Sequence, residues 1–255
     1  NGEGLQHQDG HSHLLAYPVP NLVAYDPAFA YELAVIIRDG IKRMYEDQEN
    51  IFYYITLMNE NYAMPEMPKG AEEGILKGMY KFHASDKKNA KLKAQLFGSG
   101  TILNEVIKAA KILEDDYRVA CDIWSVTSYK ELRRDALEAE RWNLLNPTKK
   151  QKESYIEKTL SKEEGVFVAS SDYVKDLPDS VSKWFPGRLY SLGTDGFGRS
   201  ETREALRDFF EVDAKHIAFA TLTALFKEGK IKDKELDKAA KELGINPGKR
   251  NPMNS

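Results

Sequence analysis

Short apolar runs alternate with longer helix-forming stretches from residue 91 onward, and this alternation constrains the fold more than any other feature of the sequence. Residues 92–97 and 119–126 have the composition of buried strands, and each is followed by a stretch with helical periodicity, at 102–115 and 128–145. The pattern repeats over 165–210, and two more helices are predicted near 214–228 and 233–243. Parallel strands need crossover connections, which are usually helices. The sequence therefore predicts a three-layer α/β/α fold with mainly parallel sheets.

The first third of the chain predicts further α/β layering. Asp26 is placed as an N-cap with Pro27 at the first helical position, and apolar residues then recur with helical spacing to residue 45. Residues 51–57 are rich in β-branched and aromatic side chains, which predicts a buried strand. A second helix is predicted over 71–82.

A polar segment with mixed charges, residues 83–90, is the best candidate for a linker. We place a domain boundary there, which divides the chain into residues 1–88 and 89–255. A chain of 255 residues is long enough for one large domain or two modest ones.

Charge and composition argue against several classes of partner. The net charge is −3 with both signs interspersed, so no basic surface is expected to hold nucleic acid. No apolar run approaches the length of about 20 residues that a membrane span needs. The single cysteine, Cys121, cannot form an internal disulfide, which is consistent with a reducing cytoplasm. The sequence begins at Asn1 without a methionine, so we expect a fragment of a longer protein.

The opening stretch, residues 1–13, concentrates chemistry-bearing side chains on a glycine-rich backbone. It holds three of the five histidines, His7, His11 and His13, together with Glu3 and Asp9. Histidine titrates near neutrality, so the group could handle protons. The same side chains could hold a zinc or iron ion, could form a solvated polar loop, or could be an engineered terminus. These alternatives stay open on the residues alone.

Two other glycine-rich loops, at residues 98–101 and 193–200, each follow a predicted strand. Backbone N–H groups at such a position can hold a phosphate, but neither loop has the complete spacing of a known phosphate-binding motif. Tight-turn geometry explains both loops better, and we assign neither to catalysis.

Four segments carry a resemblance to a known family. They are NGEGLQHQDGHSH from residue 1, YDPAFAYELAVII from 25, NENYAMPEMPKGAEEGILKGMYK from 59, and LGTDGFGRSETREALRDFFEVD from 192. Together they resemble the C-terminal part of the homodimeric, decarboxylating first component of the bacterial pyruvate dehydrogenase complex. The resemblance implies the end of a thiamine-pyrimidine-binding domain up to about residue 88, followed by a transketolase-type C-terminal domain.

The resemblance implies a thiamine-diphosphate- and Mg²⁺-dependent oxidoreductase of pyruvate metabolism. Such an enzyme decarboxylates pyruvate and reductively acetylates the lipoyl group of a dihydrolipoyl acetyltransferase, and it works as a cytoplasmic homodimer. By match to the family motifs, His7 and Glu3 lie near the thiazolium and the substrate. By looser similarity to transketolase, Asp9 and His13 face the substrate, whereas His11 departs from that pattern and ranks lower.

The family's diphosphate motif, Gly-Asp-Gly followed by asparagines that hold magnesium, is absent from this sequence. We therefore expect the main cofactor site to lie upstream and this chain alone to be inactive. Two other functions remain as alternatives. The chain could be a non-catalytic dimerisation module, or it could be a metal-dependent hydrolase built on the three histidines.

Overall fold

The computed structural model of the chain describes residues 8–87 and 89–254. The strands are β1 (Leu22–Tyr25), β2 (Phe52–Ile55), β3 (Met79–His83), β4 (Leu92–Gly98), β5 (Val119–Val126), β6 (Val166–Ser170) and β7 (Leu189–Leu192). The helices are α1 (Ser12–Leu15), α2 (Ala30–Ile41), α3 (Glu72–Lys77), α4 (Ile102–Asp116), α5 (Tyr129–Leu145), α6 (Tyr155–Leu160), α7 (Asp176–Asp179), α8 (Arg203–Phe209), α9 (Ala214–Lys227) and α10 (Asp233–Glu242). None of the described helices is both long and apolar enough to cross a membrane.

Five strands form the larger sheet in the order β3-β5-β4-β6-β7. The pairs β5-β4, β4-β6 and β6-β7 are parallel, and only the edge strand β3 runs antiparallel to its neighbour β5. Side chains alternate between the two faces of this sheet. Ala94 and Leu96 of β4 pack against helices α4 and α9, whereas Phe97 packs against α5 and α6. These two helical layers confirm the predicted three-layer fold.

The smaller sheet consists of β1 and β2, which are parallel and covered by α2 and α3. Its apolar contacts centre on Val23, Tyr25, Ile36 and Ile75. The prediction that the second of these strands is buried was wrong, since Phe52 is exposed and the next three residues are only partly covered. Within the described chain, β2 has a single neighbouring strand, so its other edge is not covered by a third strand.

The first long helix begins later than predicted. Asp26 does not cap it, since α2 starts at Ala30 and the Glu32 side chain accepts hydrogen bonds from the backbone N–H groups of Ala28 and Phe29, at 2.5 and 3.0 Å. An Asp-Pro pair is a common signal for a helix start. Here the Asp26 carboxyl is buried and is used in tertiary contacts instead.

The single helix predicted over 71–82 is two elements. Gly78 has a φ of 109°, which ends α3 and turns the chain into β3. Its carbonyl accepts hydrogen bonds from the N–H groups of Thr127 and Ser128, at 2.8 and 3.1 Å. A Cβ atom at this position would lie 2.4 Å from the Ser128 carbonyl oxygen, so only glycine fits this crossing.

Strand pairing bears on where the chain divides, because β3 already belongs to the larger sheet. The change from one sheet to the other therefore occurs between Ile55 and Met79. The predicted domain boundary at residue 88 stays a prediction. The chain leaves the smaller sheet and enters the larger one before that residue.

Candidate functional site

A cavity of about 350 Å³ lies at the carboxyl ends of the parallel strands β4, β6 and β7. This end of a parallel sheet is the usual place for a ligand site. Four segments supply most of the cavity lining: residues 8–11, residues 58–60, the loop at 194–198, and α8. Thr101, Asp172, Phe210 and Val212 complete it. The opening loop and the second glycine-rich loop of the sequence therefore meet at one place.

Two hydrogen bonds hold the opening loop against the segments that follow strands β6 and β7. The Gln8 side-chain amide donates to the Arg199 carbonyl, and the Val174 N–H donates to the Gly10 carbonyl at 3.1 Å. His11 is exposed and lines the cavity together with Asp9. Glu3 and His7 lie outside the described residues, so their predicted roles stay predictions.

The Asp9 carboxylate is engaged by the backbone that follows it. It accepts hydrogen bonds from the N–H groups of His11 and Ser12, at 3.1 and 3.0 Å, and from Ser12 Oγ at 2.5 Å. Burial by itself would raise the pKa of Asp9, but these hydrogen bonds outweigh burial and lower it. Asp9 is therefore an ionised acceptor that holds the start of α1, and its predicted role in the reaction stays a prediction.

His13 is buried, with only 4% of its surface exposed. Its Nε2 lies 2.9 Å from Thr56 Oγ1, and its ring makes edge contacts with Tyr54 and Tyr173 at centroid distances of 5.5 and 4.7 Å. Burial lowers the pKa of His13 to about 4, although the nearby charge of Asp9 acts in the opposite direction. The imidazole is therefore neutral at physiological pH.

Asp26 is the second buried titratable group near this loop, and the sequence analysis did not identify it as a site residue. Thr56 Oγ1 donates to Asp26 Oδ1 at 2.8 Å, so Thr56 lies between Asp26 and His13. Burial raises the pKa of Asp26 to about 7, while the hydrogen bond from the Thr56 hydroxyl partly opposes the shift. A neutral histidine and a carboxyl group that titrates near neutrality are thus joined through one hydroxyl.

Charged groups on the far wall of the cavity are paired with one another. Arg207 donates to both carboxylate oxygens of Glu60, with Nη1 3.1 Å from Oε1, and to Glu105 Oε1 at 3.3 Å. Arg203 Nη2 donates to Asn59 Oδ1 at 2.6 Å. The sequence analysis missed these residues, although both arginines lie in the segment from residue 192 that carries the family resemblance. Their ion pairs fasten α8 to residues 59–60.

Among the described residues, one group of side chains has the geometry of a metal site, and it lies away from the opening loop. It consists of Asp208, Asp213 and His216. Lys215 and Lys249 both contact the Asp208 carboxylate, at 2.6 and 3.3 Å, so cationic side chains already neutralise it. The described histidines of the opening loop, His11 and His13, do not belong to this group.

The chain matches two family profiles. The profile of the pyruvate dehydrogenase E1 component middle domain matches residues 1–65. The profile of the transketolase-like C-terminal domain matches residues 78–213, which is more than half of the chain. The chain belongs to the transketolase-like family.

Individual relatives agree with this assignment. The chain is 56% identical over 254 residues to the pyruvate dehydrogenase E1 component of Pseudomonas aeruginosa, covering 99% of this chain and 29% of the relative. It is 50% identical over 254 residues to that of Escherichia coli strain K12, covering 99% and 28%. The resemblance stated from the sequence is confirmed, and the chain spans less than a third of the length of these relatives.

Solved structures share the fold at low sequence identity. A transketolase from Pichia stipitis superposes with a TM-score of 0.64 at 17% identity, covering 90% of this chain and 29% of that one. A split-gene transketolase, described as an inactive β4 tetramer, superposes with a TM-score of 0.56 at 16% identity, covering 88% and 64%.

The buried carboxyl of Asp26 predicts a specific pH dependence of stability. Its pKa is raised from 3.8 to about 7 on folding, so the folded chain holds this proton more tightly, and stability falls as pH rises between those values. Asp26→Asn removes the charge and should raise the free energy of unfolding at about pH 8 by up to roughly 4 kcal/mol, with the gain vanishing near about pH 4. Urea denaturation across this pH range measures the difference.

Asp122→Asn is the matched control for that experiment. Lys81 holds Asp122 at 2.7 Å and, against the opposing effect of burial, the pKa of Asp122 is lowered. Its substitution should therefore destabilise the chain at neutral pH, with the cost shrinking as pH falls through the lowered pKa. A stability gain from Asp26→Asn that is the same at every pH would contradict the burial of a titrating carboxyl.

Proposed function

We propose that this chain forms one wall of the active site of a pyruvate dehydrogenase E1 component. That enzyme decarboxylates pyruvate and transfers the acetyl group to the lipoyl group of a dihydrolipoyl acetyltransferase, as a thiamine-diphosphate-dependent homodimer in the cytoplasm. The observation that carries the proposal is the 56% identity over 254 residues to an enzyme of that name, which includes the opening loop. Thiamine diphosphate supplies the carbanion chemistry when it is bound.

The described residues do not fit the diphosphate and magnesium part of the cofactor. Magnesium prefers several oxygen ligands in octahedral geometry. The one described group with a metal-site geometry contains a histidine, and two lysines contact its Asp208 carboxylate. The contribution of this chain is therefore the handling of protons and the shape of the cavity.

The described part of the opening loop, residues 8–13, is suited to that work because several contacts hold it in place. Asp9 holds the start of α1, and Val174 holds the Gly10 carbonyl. His13, which is neutral and buried, holds the end of the loop through its hydrogen bond with Thr56. A rigid loop can place the side chains before it, His7 among them, against a substrate with little further ordering.

Substituting His7 in the full-length enzyme tests the proposal. A well-placed acid or base contributes on the order of 10² to 10⁴ in rate, so His7→Ala should lower kcat for pyruvate decarboxylation at least about tenfold. His83→Ala is the control, because that side chain is exposed on the edge strand β3 and should leave kcat unchanged. Equal rates for His7→Ala and the wild type would remove His7 from the chemistry.

Calorimetry on the 255-residue chain separates its own binding capacity from that of the full-length enzyme. Titration with thiamine diphosphate and Mg²⁺ should give no tight binding, because the chain lacks the family's diphosphate motif. Tight stoichiometric binding would show that the present residues suffice for the cofactor.

A second candidate function, self-assembly, is favoured by one surface. Ile37, Ile41 and Tyr45 follow one another at helical spacing along α2 and the turn after it, and they are 45%, 51% and 76% exposed. We call these three residues the α2 stripe. An exposed apolar row of this kind is typical of an interface. A protein with the same fold is described as a β4 tetramer, which supports assembly as a candidate function.

Sedimentation tests the assembly function on the chain itself. If the α2 stripe is an interface, the wild type should sediment as a dimer or larger species, and Ile41→Glu should shift it toward the monomer by burying an unpaired charge. Leu144→Glu is the control, since Leu144 is 79% exposed at the end of α5. A wild-type monomer at all concentrations would exclude self-assembly of the chain.

A further inference from the structure

Three side chains from separate elements form a hydrogen-bonded line at the end of the opening loop, with a buried titratable group at each end. His13 lies in α1, Thr56 directly follows β2, and Asp26 directly follows β1. His13 Nε2 is 2.9 Å from Thr56 Oγ1, and Thr56 Oγ1 is 2.8 Å from Asp26 Oδ1. His13 and Asp26 are 4% and 5% exposed, and Thr56 between them is partly buried.

The donors in this line can be assigned when the Asp26 carboxyl is ionised. A carboxylate only accepts hydrogen bonds, so the single hydroxyl proton of Thr56 is donated to Asp26 Oδ1. Thr56 Oγ1 is then left to accept, so its 2.9 Å hydrogen bond with His13 requires a proton on Nε2. A neutral imidazole carries one ring proton, so Nδ1 is an unprotonated acceptor in this state.

The assignment reverses when Asp26 takes up a proton. Oδ2 has no hydrogen-bond partner among the described residues, so a proton on Oδ2 would be a buried donor without an acceptor. On Oδ1 the proton is donated to Thr56 Oγ1, whose own proton is then donated to His13 Nε2. The imidazole keeps one proton, now on Nδ1, and the whole line has gained one proton from solvent.

We propose that Asp26, acting through Thr56, sets which ring nitrogen of His13 carries its proton. His13 is thereby a positioning residue that presents an acceptor at Nδ1 when Asp26 is ionised and a donor when Asp26 is protonated. Because α1 begins directly after the cavity-lining residues 8–11, the change occurs at the base of the candidate site. The inference concerns contacts within this chain and does not depend on the proposed enzymatic activity.

The groups around Asp26 and His13 place the change of the protonated ring nitrogen near neutral pH. Burial, together with the charges of Asp172 and Glu32, raises the pKa of Asp26 to about 7, whereas His13 has a pKa of about 4 and stays neutral through this range. The charged neighbour of His13 is Asp9. The other titratable groups around the line are tyrosines: Tyr54, Tyr62, Tyr129 and Tyr173.

Nitrogen NMR of the imidazole rings tests the proposal directly in the 255-residue chain labelled with ¹⁵N-histidine. His13→Gln identifies the His13 signals by their disappearance. At about pH 8.5 the proton should be on Nε2, and at about pH 5.5 it should be on Nδ1, with the ring neutral at both values. The same tautomer at both pH values, or a charged ring at the lower one, would overturn the proposal.

Three variants separate a tautomer change that passes through Thr56 from a general effect of pH. Thr56→Val removes the hydroxyl and should abolish the tautomer change, whereas Thr56→Ser keeps the hydroxyl and should retain it. Asp26→Asn removes the titrating group and should also abolish the change. If Thr56→Val does not fold, Asp26→Asn gives the deciding result, because the amide has nearly the same shape as the carboxyl. A tautomer change that persists in a folded Asp26→Asn or Thr56→Val variant would contradict the proposal.

Discussion

The buried carboxylate of Glu32 is the interaction on which the rest of the structure depends. It lies in α2 of the smaller sheet, and its Oε1 accepts hydrogen bonds from Tyr80 OH and Ser125 Oγ, both at 2.6 Å, which belong to strands β3 and β5 of the larger sheet. Its Oε2 accepts from the backbone at the start of its own helix. Burial raises the pKa of Glu32 against the effect of these hydrogen bonds. Such a group is tolerated in a core because its acceptor capacity is filled, and its partners thereby join the two sheets.

The candidate site depends on the hydrogen bonds of Glu32 between the two sheets, because residues of the site come from both sheets. Asp26 and Thr56 belong to the ends of β1 and β2, whereas the cavity wall of residues 194–198 follows β7 of the larger sheet. His13 contacts both sides, through Thr56 on one and through the ring of Tyr173 on the other. A shift of one sheet relative to the other would therefore move the base of the opening loop away from the cavity wall.

The sequence predicted the strands and most of the helices from residue 92 onward because their periodicity and composition are local properties. It did not predict α6, whose Ile156 and Leu160 are buried, and the helix expected after β6 is only the four-residue α7 followed by a short 3-10 turn. It did not predict that Gly78 separates a helix from an edge strand, since a positive φ depends on the crossing with Ser128 rather than on the neighbouring residues. The histidines and carboxylates of the opening loop were recognisable by residue type. The local Asp-Pro pair predicts a helix cap at Asp26 and not a site residue. No pattern in the sequence indicates Thr56, because its hydroxyl joins His13 and Asp26 only after tertiary packing brings these two groups to either side of it.

Hydrogen exchange followed by mass spectrometry most directly tests the claim that Glu32 joins the two sheets. In the wild type, amides of β1 and β2 should exchange in the same cooperative unit as those of β4 and β5. Glu32→Leu removes the acceptor of four donors, at a cost of about 1–3 kcal/mol for each donor that stays unpaired. It should therefore release β1 and β2 into a separate, faster-exchanging unit while β4 and β5 keep most of their protection. Glu32→Gln, which keeps the shape and one acceptor, should lie closer to the wild type. Equal loss of protection in both sheets, or no loss in Glu32→Leu, would contradict the account.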